Sequence, residues 1–367
     1  MPPEGWLALS ELTRSGAVDG TGADAGVAAH YGNPLAEQRA LAAGDAVVDL
    51  SHRAVLSISG ADRLTWINSL TSQSVTDLKP GQSSETLLLD ATGRLEYAVR
   101  LLDDGVDLWL LLEREEAPGL LAWLSTMVFM LRVELRDRTN ELATIGAFGS
   151  PQILVASPNG VPLVWNDPWS AVTPGGWQYA AVEHHPAVQW TYSEVLIPRA
   201  TLAELDLPLA GFLALEALRI AAWRPRLATE GDEKTIPHEL DWLRSAVHLT
   251  KGCYRGQETV AKVHNLGHPP RRLVMLHLDG SDSVLPLPGD EVLLGENTVG
   301  RVTSAAQHFE LGPIALAVVK RTTDPLAELA VRSEGILVPA AQEIVVPPDA
   351  GAAANVPRLP RLGAVKR

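Results

Sequence analysis

Residues 251–262 read KGCYRGQETVAK and contain the only cysteine of the 367-residue chain. Cys253 has Lys251 and Arg255 as nearby cations, and the residues from Gly256 onward carry apolar side chains at helical spacing. Because neighbouring cations and a helix N-terminus favour the reactive thiolate form of a cysteine, the segment predicts a functional thiol at Cys253. The alternative is that Cys253 is a small buried apolar residue, as lone cysteines often are.

The composition of the chain narrows its class. Hydrophobic residues make up 46% and charged residues 20%, which is typical of globular domains, and the length exceeds that of one ordinary core. A net charge of −14 argues against broad binding to nucleic acid or to anionic membranes, and one cysteine excludes an internal disulfide or a cysteine-rich zinc site. With no long apolar run and no signal-peptide pattern, we expect a cytoplasmic protein without a membrane span or a bound metal ion.

Upstream of the cysteine, short strands and helices alternate without a regular period. Residues 46–60 contain two β-rich runs, residues 60–75 have Leu64, Ile67 and Leu70 at helical spacing, and residues 84–102 predict a hairpin around the turn DATGR. The segment QILVAS, residues 152–157, predicts a further strand, and FLALEALRIAAW, residues 212–223, predicts a helix. This alternation indicates an α+β fold with mixed or antiparallel sheets.

Downstream of the cysteine, the paired prolines of LGHPPRR at residues 266–272 mark a boundary, because they fit neither a helix nor a central strand. Only strand patterns follow, which predict a small antiparallel barrel or sandwich. We therefore divide the chain into a flexible N-terminal arm (1–28), an α+β region (29–267), a C-terminal β-barrel (268–346) and a disordered tail (347–367).

A second polar cluster surrounds GDEKTIPHEL, residues 231–240. Its carboxylates and imidazole suit acid–base or metal chemistry, but such a run is more often a solvated loop followed by a helix start, here at Pro237. The residues concerned are Glu230, Asp232, Glu233, His238 and Glu239. No GxSxG, P-loop or CxxC motif occurs, so the usual nucleophile and nucleotide sites are not indicated.

KGCYRGQE resembles the signature K-G-C-[FY]-x-G-Q-E of the YgfZ/GcvT family, specifically its YgfZ-like branch, which is linked to iron–sulfur protein maturation. The likeness extends over roughly residues 45–320 and includes LLLDATGR and LRIAAWRPRLATEGDEKTIPHE. The resemblance implies a GcvT-like arrangement of three domains, two of them interleaved within residues 29–267, around a central folate-binding cavity.

The family resemblance also implies a set of site residues. Cys253 is the functional thiol, and tetrahydrofolate or a related folate is the expected cofactor, with Trp223 as an aromatic wall and arginines as counter-charges for the anionic glutamate tail. Trp223 could equally be a core or interface anchor. The predicted folate-contacting residues are Lys251, Gly252, Tyr254, Arg255, Gly256, Gln257, Glu258, Arg219, Trp223 and Arg226.

Two departures from the folate-dependent aminomethyltransferases argue against glycine-cleavage chemistry. Their G-G-I-I-D-D hairpin reads GRLEYAV here, so Tyr97 and Ala98 replace two aspartates, and their L-R-x-E-A-G reads LRIAAW, so Ala221 replaces the glutamate. The resemblance therefore implies a folate-binding accessory protein for assembly or repair of iron–sulfur enzymes, with iron–sulfur client or assembly proteins as partners.

Two other functions remain open. The first is a tetrahydrofolate-dependent one-carbon transferase, for which Glu96, Glu230 or Asp232 would be the base. The second is a noncatalytic binding module in which the signature only shapes a turn.

Overall fold

The computed structural model describes residues 16–281 and 283–354, in which strands and helices build two open five-stranded sheets and one closed barrel. The helices are α1 (Pro34–Ala43), α2 (Arg63–Leu70), α3 (Ala117–Thr126), α4 (Phe212–Ala221), α5 (Leu227–Glu230) and α6 (Gln257–Leu266). The strands are β1 (Val18–Asp19), β2 (Ala28–His30), β3 (Val47–Asp49), β4 (Ala54–Ser59), β5 (Ser83–Leu89), β6 (Leu95–Asp103), β7 (Asp107–Leu112), β8 (Glu134–Asp137), β9 (Leu142–Phe148), β10 (Val164–Asn166), β11 (Tyr192–Pro198), β12 (Leu209–Ala210), β13 (Arg271–Leu278), β14 (Glu291–Leu294), β15 (Asn297–His308), β16 (Gly312–Lys320), β17 (Leu329–Ser333) and β18 (Ile336–Ile344).

The first sheet has the order β5-β6-β7-β4-β8, and all its neighbours are antiparallel. Its β5–β6 hairpin turns at DATGR as predicted: the Asp90 carboxylate accepts from the backbone N–H groups of Thr92 and Arg94. Apolar side chains from one face pack against α2 and α3, where Leu120 and Leu124 are buried. The period-two and helical patterns in the sequence therefore meet in one core.

The second sheet has the order β10-β11-β9-β3-β12 and is mixed, because β12 pairs with β3 in parallel while the other pairs are antiparallel. Since β3 precedes the first sheet in the chain and β9 follows it, the two sheets are interleaved in sequence. The strand predicted at residues 152–157 is absent. In its place, single backbone hydrogen bonds join Ala156 to Leu196 and Leu163 without forming a ladder.

Residues 271–344 form a closed antiparallel barrel, with the order β13-β16-β15-β14-β17-β18. Alternate side chains along its strands fill the interior, including Val274, Leu276, Val302 and Val331. The α+β class, with mixed and antiparallel sheets and a C-terminal antiparallel barrel, is therefore confirmed.

The described ends of the chain pack onto the body. In the arm, β1 pairs with β2, and the Asp24 carboxylate lies 2.9 Å from the Arg226 guanidinium. Near the other end, the backbone N–H of Ala353 donates to the carbonyl of His264 in α6. Residues 1–15 and 355–367, which belong to the predicted flexible arm and disordered tail, lie outside the described part of the chain. No helix among the described residues is long and apolar enough to cross a membrane.

Candidate functional site

Cys253 lies on an exposed loop immediately before α6, and its side chain faces solvent. Lys251 fastens this loop to the body: its ammonium donates to three backbone carbonyls at 2.6–2.7 Å, those of Asn68, Thr71 and Gln73. Two of these carbonyls belong to the end of α2 and the residue after it, where helical carbonyls lack partners of their own. Lys251 therefore satisfies a helix C-terminus and fixes the loop to it.

The N-terminus of α6 is pressed against the DATGR turn. Its N-cap residue, Gly256, has a φ of +83°, and a Cβ there would lie 2.7 Å from the carbonyl oxygen of Asp90. Gly93 in the turn also has a positive φ, of +84°, and a Cβ there would lie 2.7 Å from the Cβ of Thr259. Both positions require glycine, because the backbone conformation is left-handed and the two segments touch.

The other motif side chains also have partners. Arg255 forms an ion pair with Glu96 at 2.8 Å and lies over the ring of Trp123, and Gln257 donates to the carbonyl of Lys251 at 3.2 Å. Tyr254 is buried beside the Lys251 ammonium, whereas Gly252 and Glu258 are exposed. Both predicted cations are thus engaged elsewhere, and the motif presents an exposed thiol on a firmly held loop.

A second region, the central cavity, lies among both open sheets, α4 and the segment after it. Its lining contains five arginines, six carboxylates and two tryptophans, and its volume is only about 50 Å³. The charged lining residues are Arg53, Arg100, Arg219, Arg224, Arg226, Glu85, Glu113, Glu116, Asp167, Glu194 and Glu216. None of residues 251–258 lines this cavity. The structure therefore separates the cysteine motif from the central cavity, although both were predicted to serve one folate site.

The arginines of the central cavity are paired with carboxylates. Arg224 contacts Glu85 at 2.6 Å and Asp167 at 2.9 Å. Arg219 contacts Glu216 and Glu230, both at 2.8 Å. These charge-assisted hydrogen bonds are the compensation that buried ionic groups need.

Two further arginines form ion pairs with carboxylates of the central cavity. Arg226 contacts Glu113 at 2.8 Å, and Arg53 contacts Glu194. Burial alone would raise the pKa of the Glu113 carboxyl, but Arg226 and Arg53 hold that pKa well below its ordinary value. Glu113 therefore stays ionised in the folded protein.

Glu116 differs from the other cavity carboxylates because no cation of the described residues lies within 4.0 Å of it. Burial, followed by repulsion from Glu113, raises the pKa of the Glu116 carboxyl to about 7. Sequence reasoning missed this residue. Glu113 directly follows the apolar strand β7 and Glu116 comes three residues later, so acidic residues at the end of a buried strand were the available signal.

The cavity does not fit a folate as the structure has it. Small-molecule sites usually measure about 300–1,000 Å³, and about 50 Å³ holds only a few water molecules. Arg219 and Arg226, the predicted counter-charges, do line the cavity but are bound to carboxylates. The predicted aromatic wall, Trp223, is not in the lining: it is fully buried, donates to the sulfur of Met275 at 3.1 Å and packs on His185. Trp223 thus anchors the barrel strand β13 to the body.

The polar cluster of residues 230–239 is divided among structural contacts. Glu230 binds Arg219, whereas Asp232 and Glu239 both bind Arg271 of the barrel. Burial lowers the pKa of His238 to about 3, and its Nε2 atom lies 3.0 Å from the carbonyl oxygen of Val260. Within residues 16–281 and 283–354, no three His, Cys, Asp or Glu side chains form a group that could hold a metal ion.

Comparison with known proteins accounts for this architecture. Residues 271–348, which contain the barrel, match the family of the glycine cleavage T-protein C-terminal barrel domain. The whole fold is similar to that of the glycine cleavage system aminomethyltransferase T from Bartonella henselae, with a TM-score of 0.71, 18% identity, and coverage of 95% of this chain and 97% of that one. The predicted GcvT-like arrangement is confirmed.

Curated relatives extend the likeness to the α+β region. A chloroplastic "putative transferase" of Arabidopsis thaliana is 27% identical over 74% of this chain and 65% of its own length. A mitochondrial iron–sulfur cluster assembly factor IBA57 homologue of Coccidioides immitis is 26% identical over 66% of this chain and 59% of its own length.

The barrel matches the T-protein C-terminal barrel domain family, and these likenesses together support a GcvT-like, YgfZ-type relationship for the chain. An aminomethyltransferase of Symbiobacterium thermophilum is also similar to this YgfZ/GcvT-like protein, with 25% identity over 83% of the chain and 84% of the enzyme. The chain spans less than two thirds of the length of the first two curated relatives. Because these relatives are chloroplastic and mitochondrial, the cytoplasmic location predicted from the sequence remains a prediction.

Proposed function

We propose that this YgfZ/GcvT-like protein is an accessory factor for the assembly or repair of iron–sulfur enzymes, with Cys253 as its working residue. The observation that carries the proposal is the exposed thiol of Cys253 on a loop whose neighbouring side chains are fixed to the body. Similarity to a mitochondrial iron–sulfur cluster assembly factor homologue supports the same class of function.

A single thiol limits what this factor does by itself. Iron–sulfur clusters in proteins are usually held by four protein ligands, and this chain has one cysteine. Cys253 would therefore contribute one thiolate while a client or assembly protein supplies the other ligands. An exposed position suits this role because the thiolate must reach a partner's surface.

The folate implied by the family resemblance has no part in the proposed function. The central cavity is too small for one, and its arginines already bind carboxylates. Titration of the purified protein with tetrahydrofolate is the direct test. Saturable binding that is weakened by Glu116→Gln would show that the cavity opens to take a folate.

The test of the thiol uses a strain that lacks the protein and the activity of its iron–sulfur enzymes under oxidative stress. We expect Cys253→Ser to fail to restore that activity. The matched control is Gly252→Ala, which alters the same exposed loop but keeps the thiol, because no atom lies within 4 Å of the added Cβ. Restoration by Cys253→Ser to the wild-type level would refute the role of the thiol and favour the noncatalytic module.

A tetrahydrofolate-dependent one-carbon transferase is the second function that the sequence left open. Its three candidate bases are all held by arginines in the structure: Glu96 by Arg255, Glu230 by Arg219, and Asp232 by Arg271. Similarity to a putative transferase and to an aminomethyltransferase favours this function, whereas the pairing of its candidate bases with arginines favours the accessory role. Tetrahydrofolate-dependent turnover of methylated amines by the purified protein would reverse this ranking.

A further inference from the structure

Trp190 lines the central cavity and also an open cleft between α4 and the turn that joins β15 to β16. The volume of this cleft is about 430 Å³, which lies within the usual range for small-molecule sites. Its walls are aromatic and aliphatic, formed by Phe148, Trp190, Leu218, Phe309 and Leu311. The cleft therefore has the size and the apolar surface that the central cavity lacks.

His308 supplies a directional polar group in the cleft. Its side chain belongs to a residue that is only 6% exposed, and its Nδ1 atom accepts from the backbone N–H groups of Glu310 and Leu311, both at 3.1 Å. Because Nδ1 accepts, the proton of the neutral ring is on Nε2. Burial lowers the pKa of His308, which keeps the ring neutral. Among the described residues Nε2 has no hydrogen-bond partner, so its N–H is left to serve a ligand in the cleft.

Arg39 supplies a cation beside the cleft. Its guanidinium lies 5.5 Å from the centroid of the Phe309 ring, and no carboxylate of the described residues lies within 4.0 Å of it. The position is fixed by the preceding residue: Gln38 donates to the carbonyl of Gln307 at 2.8 Å and accepts from the N–H of Phe309 at 3.0 Å. Helix α1 is thus fastened to the barrel turn, and it holds Arg39 against the aromatic wall.

We propose that this cleft binds a planar aromatic carboxylate. The ring packs against Phe309 and the apolar wall, and the carboxylate accepts the Nε2–H of His308 and pairs with Arg39. Glu310 also lines the cleft and is exposed, so it opposes an anion and limits the affinity. p-Aminobenzoate, whose carboxylate is attached directly to the ring, belongs to this chemical class.

Isothermal titration of the full-length protein with p-aminobenzoate tests the proposal, with p-aminobenzamide as the neutral comparison. We expect saturable binding of the acid and binding of the amide about tenfold weaker, as loss of a charge-assisted contact predicts. Arg39→Gln should weaken binding of the acid about tenfold, and Phe309→Leu about three- to tenfold. Glu310→Gln should tighten it about twofold. The matched control is Arg332→Gln, which breaks a surface ion pair elsewhere on the barrel and should change nothing.

The outcomes separate the possible sites. Weakening by the cleft variants supports the proposal. Binding that the cleft variants leave unchanged but Glu116→Gln abolishes would assign the ligand to the central cavity and overturn the proposal. Absence of saturable binding at millimolar ligand would also overturn it. Cys253→Ser should bind normally, so this test is independent of the function proposed for the thiol.

Discussion

The loop that carries Cys253 and the central cavity both contain cations that are bound within the protein, but the loop exposes a reactive group whereas the cavity is nearly filled. In the loop, Lys251 and Arg255 bind the body and leave an exposed thiol. In the cavity, arginines bind buried carboxylates and leave a space of only about 50 Å³. The comparison teaches that a cation beside a site does not by itself indicate a ligand for it, because its own partners decide whether it is available.

The largest expected effect on stability comes from removing an arginine of the central cavity. Arg224→Met should lower the free energy of unfolding by about 3–5 kcal/mol, because it leaves Glu85 and Asp167 buried without their cation. Urea denaturation measures the change. The control is Arg332→Met at the surface, which should cost about 1 kcal/mol or less. Equal effects of the two variants would show that burial of the cavity charges is not important for stability.

The next effect concerns Gly256, where the Cys253 loop and the start of α6 contact the hairpin turn. Gly256→Ala should lower the free energy of unfolding by about 2–3 kcal/mol, because alanine is strained at a φ of +83° and its Cβ would meet the carbonyl of Asp90. Gly252→Ala is the control and should change it by less than about 0.5 kcal/mol, since its Cβ meets nothing within 4 Å. Urea denaturation of both variants checks this pair, and a tolerated Gly256→Ala would contradict the close contact of α6 with the hairpin turn.

The unpaired acid of the cavity predicts a dependence of stability on pH. Because the pKa of Glu116 is raised to about 7, the folded state holds its proton more strongly than the unfolded state. The free energy of unfolding should therefore fall as the pH rises from about 4.5 to about 7. Glu116→Gln should remove this component and be more stable than the wild type at pH 8 by about 1–2 kcal/mol. Thermal unfolding of both proteins at pH 5 and pH 8 measures it, and an identical pH dependence would count against the shifted pKa.

The smallest effect on stability should come from the thiol itself. Cys253→Ser should change the free energy of unfolding by less than about 0.5 kcal/mol, because the side chain is exposed and packs in no core. Iodoacetamide should label the folded wild-type protein at this one exposed position, as mass spectrometry can follow. Slow labelling that appears only on unfolding would mean that Cys253 is buried after all.

Local patterns in the sequence predicted the elements on which the loop is built. Apolar residues at helical spacing predicted α6, Asp90 and Gly93 predicted the hairpin turn, and strand patterns after residue 270 predicted the barrel. The strand predicted at residues 152–157 was wrong, because β-rich composition does not supply a neighbour with which to form a ladder.

The central cavity could be predicted only in part. Arg219 and Arg226 were identified as cavity residues, but Glu113, which pairs with Arg226, lies 113 residues away in the chain. A signal did exist in β11, where Glu194 stands among apolar residues of a buried strand. Of the two roles that the sequence left open for Trp223, the structure shows the core anchor: its ring contacts Met275 and His185 and does not line the cavity.

The sequence by itself determined the thiol, the glycines that bring α6 against the hairpin turn, and the class of fold, since these depend on residue type and short-range spacing. Only the tertiary structure decided which charges are available. Lys251, Arg219 and Arg224 meet partners far away in the chain, and those hydrogen bonds exist only once the sheets and helices are packed. The sequence shows which charged side chains a site contains. The long-range packing determines whether those charges remain free for a ligand.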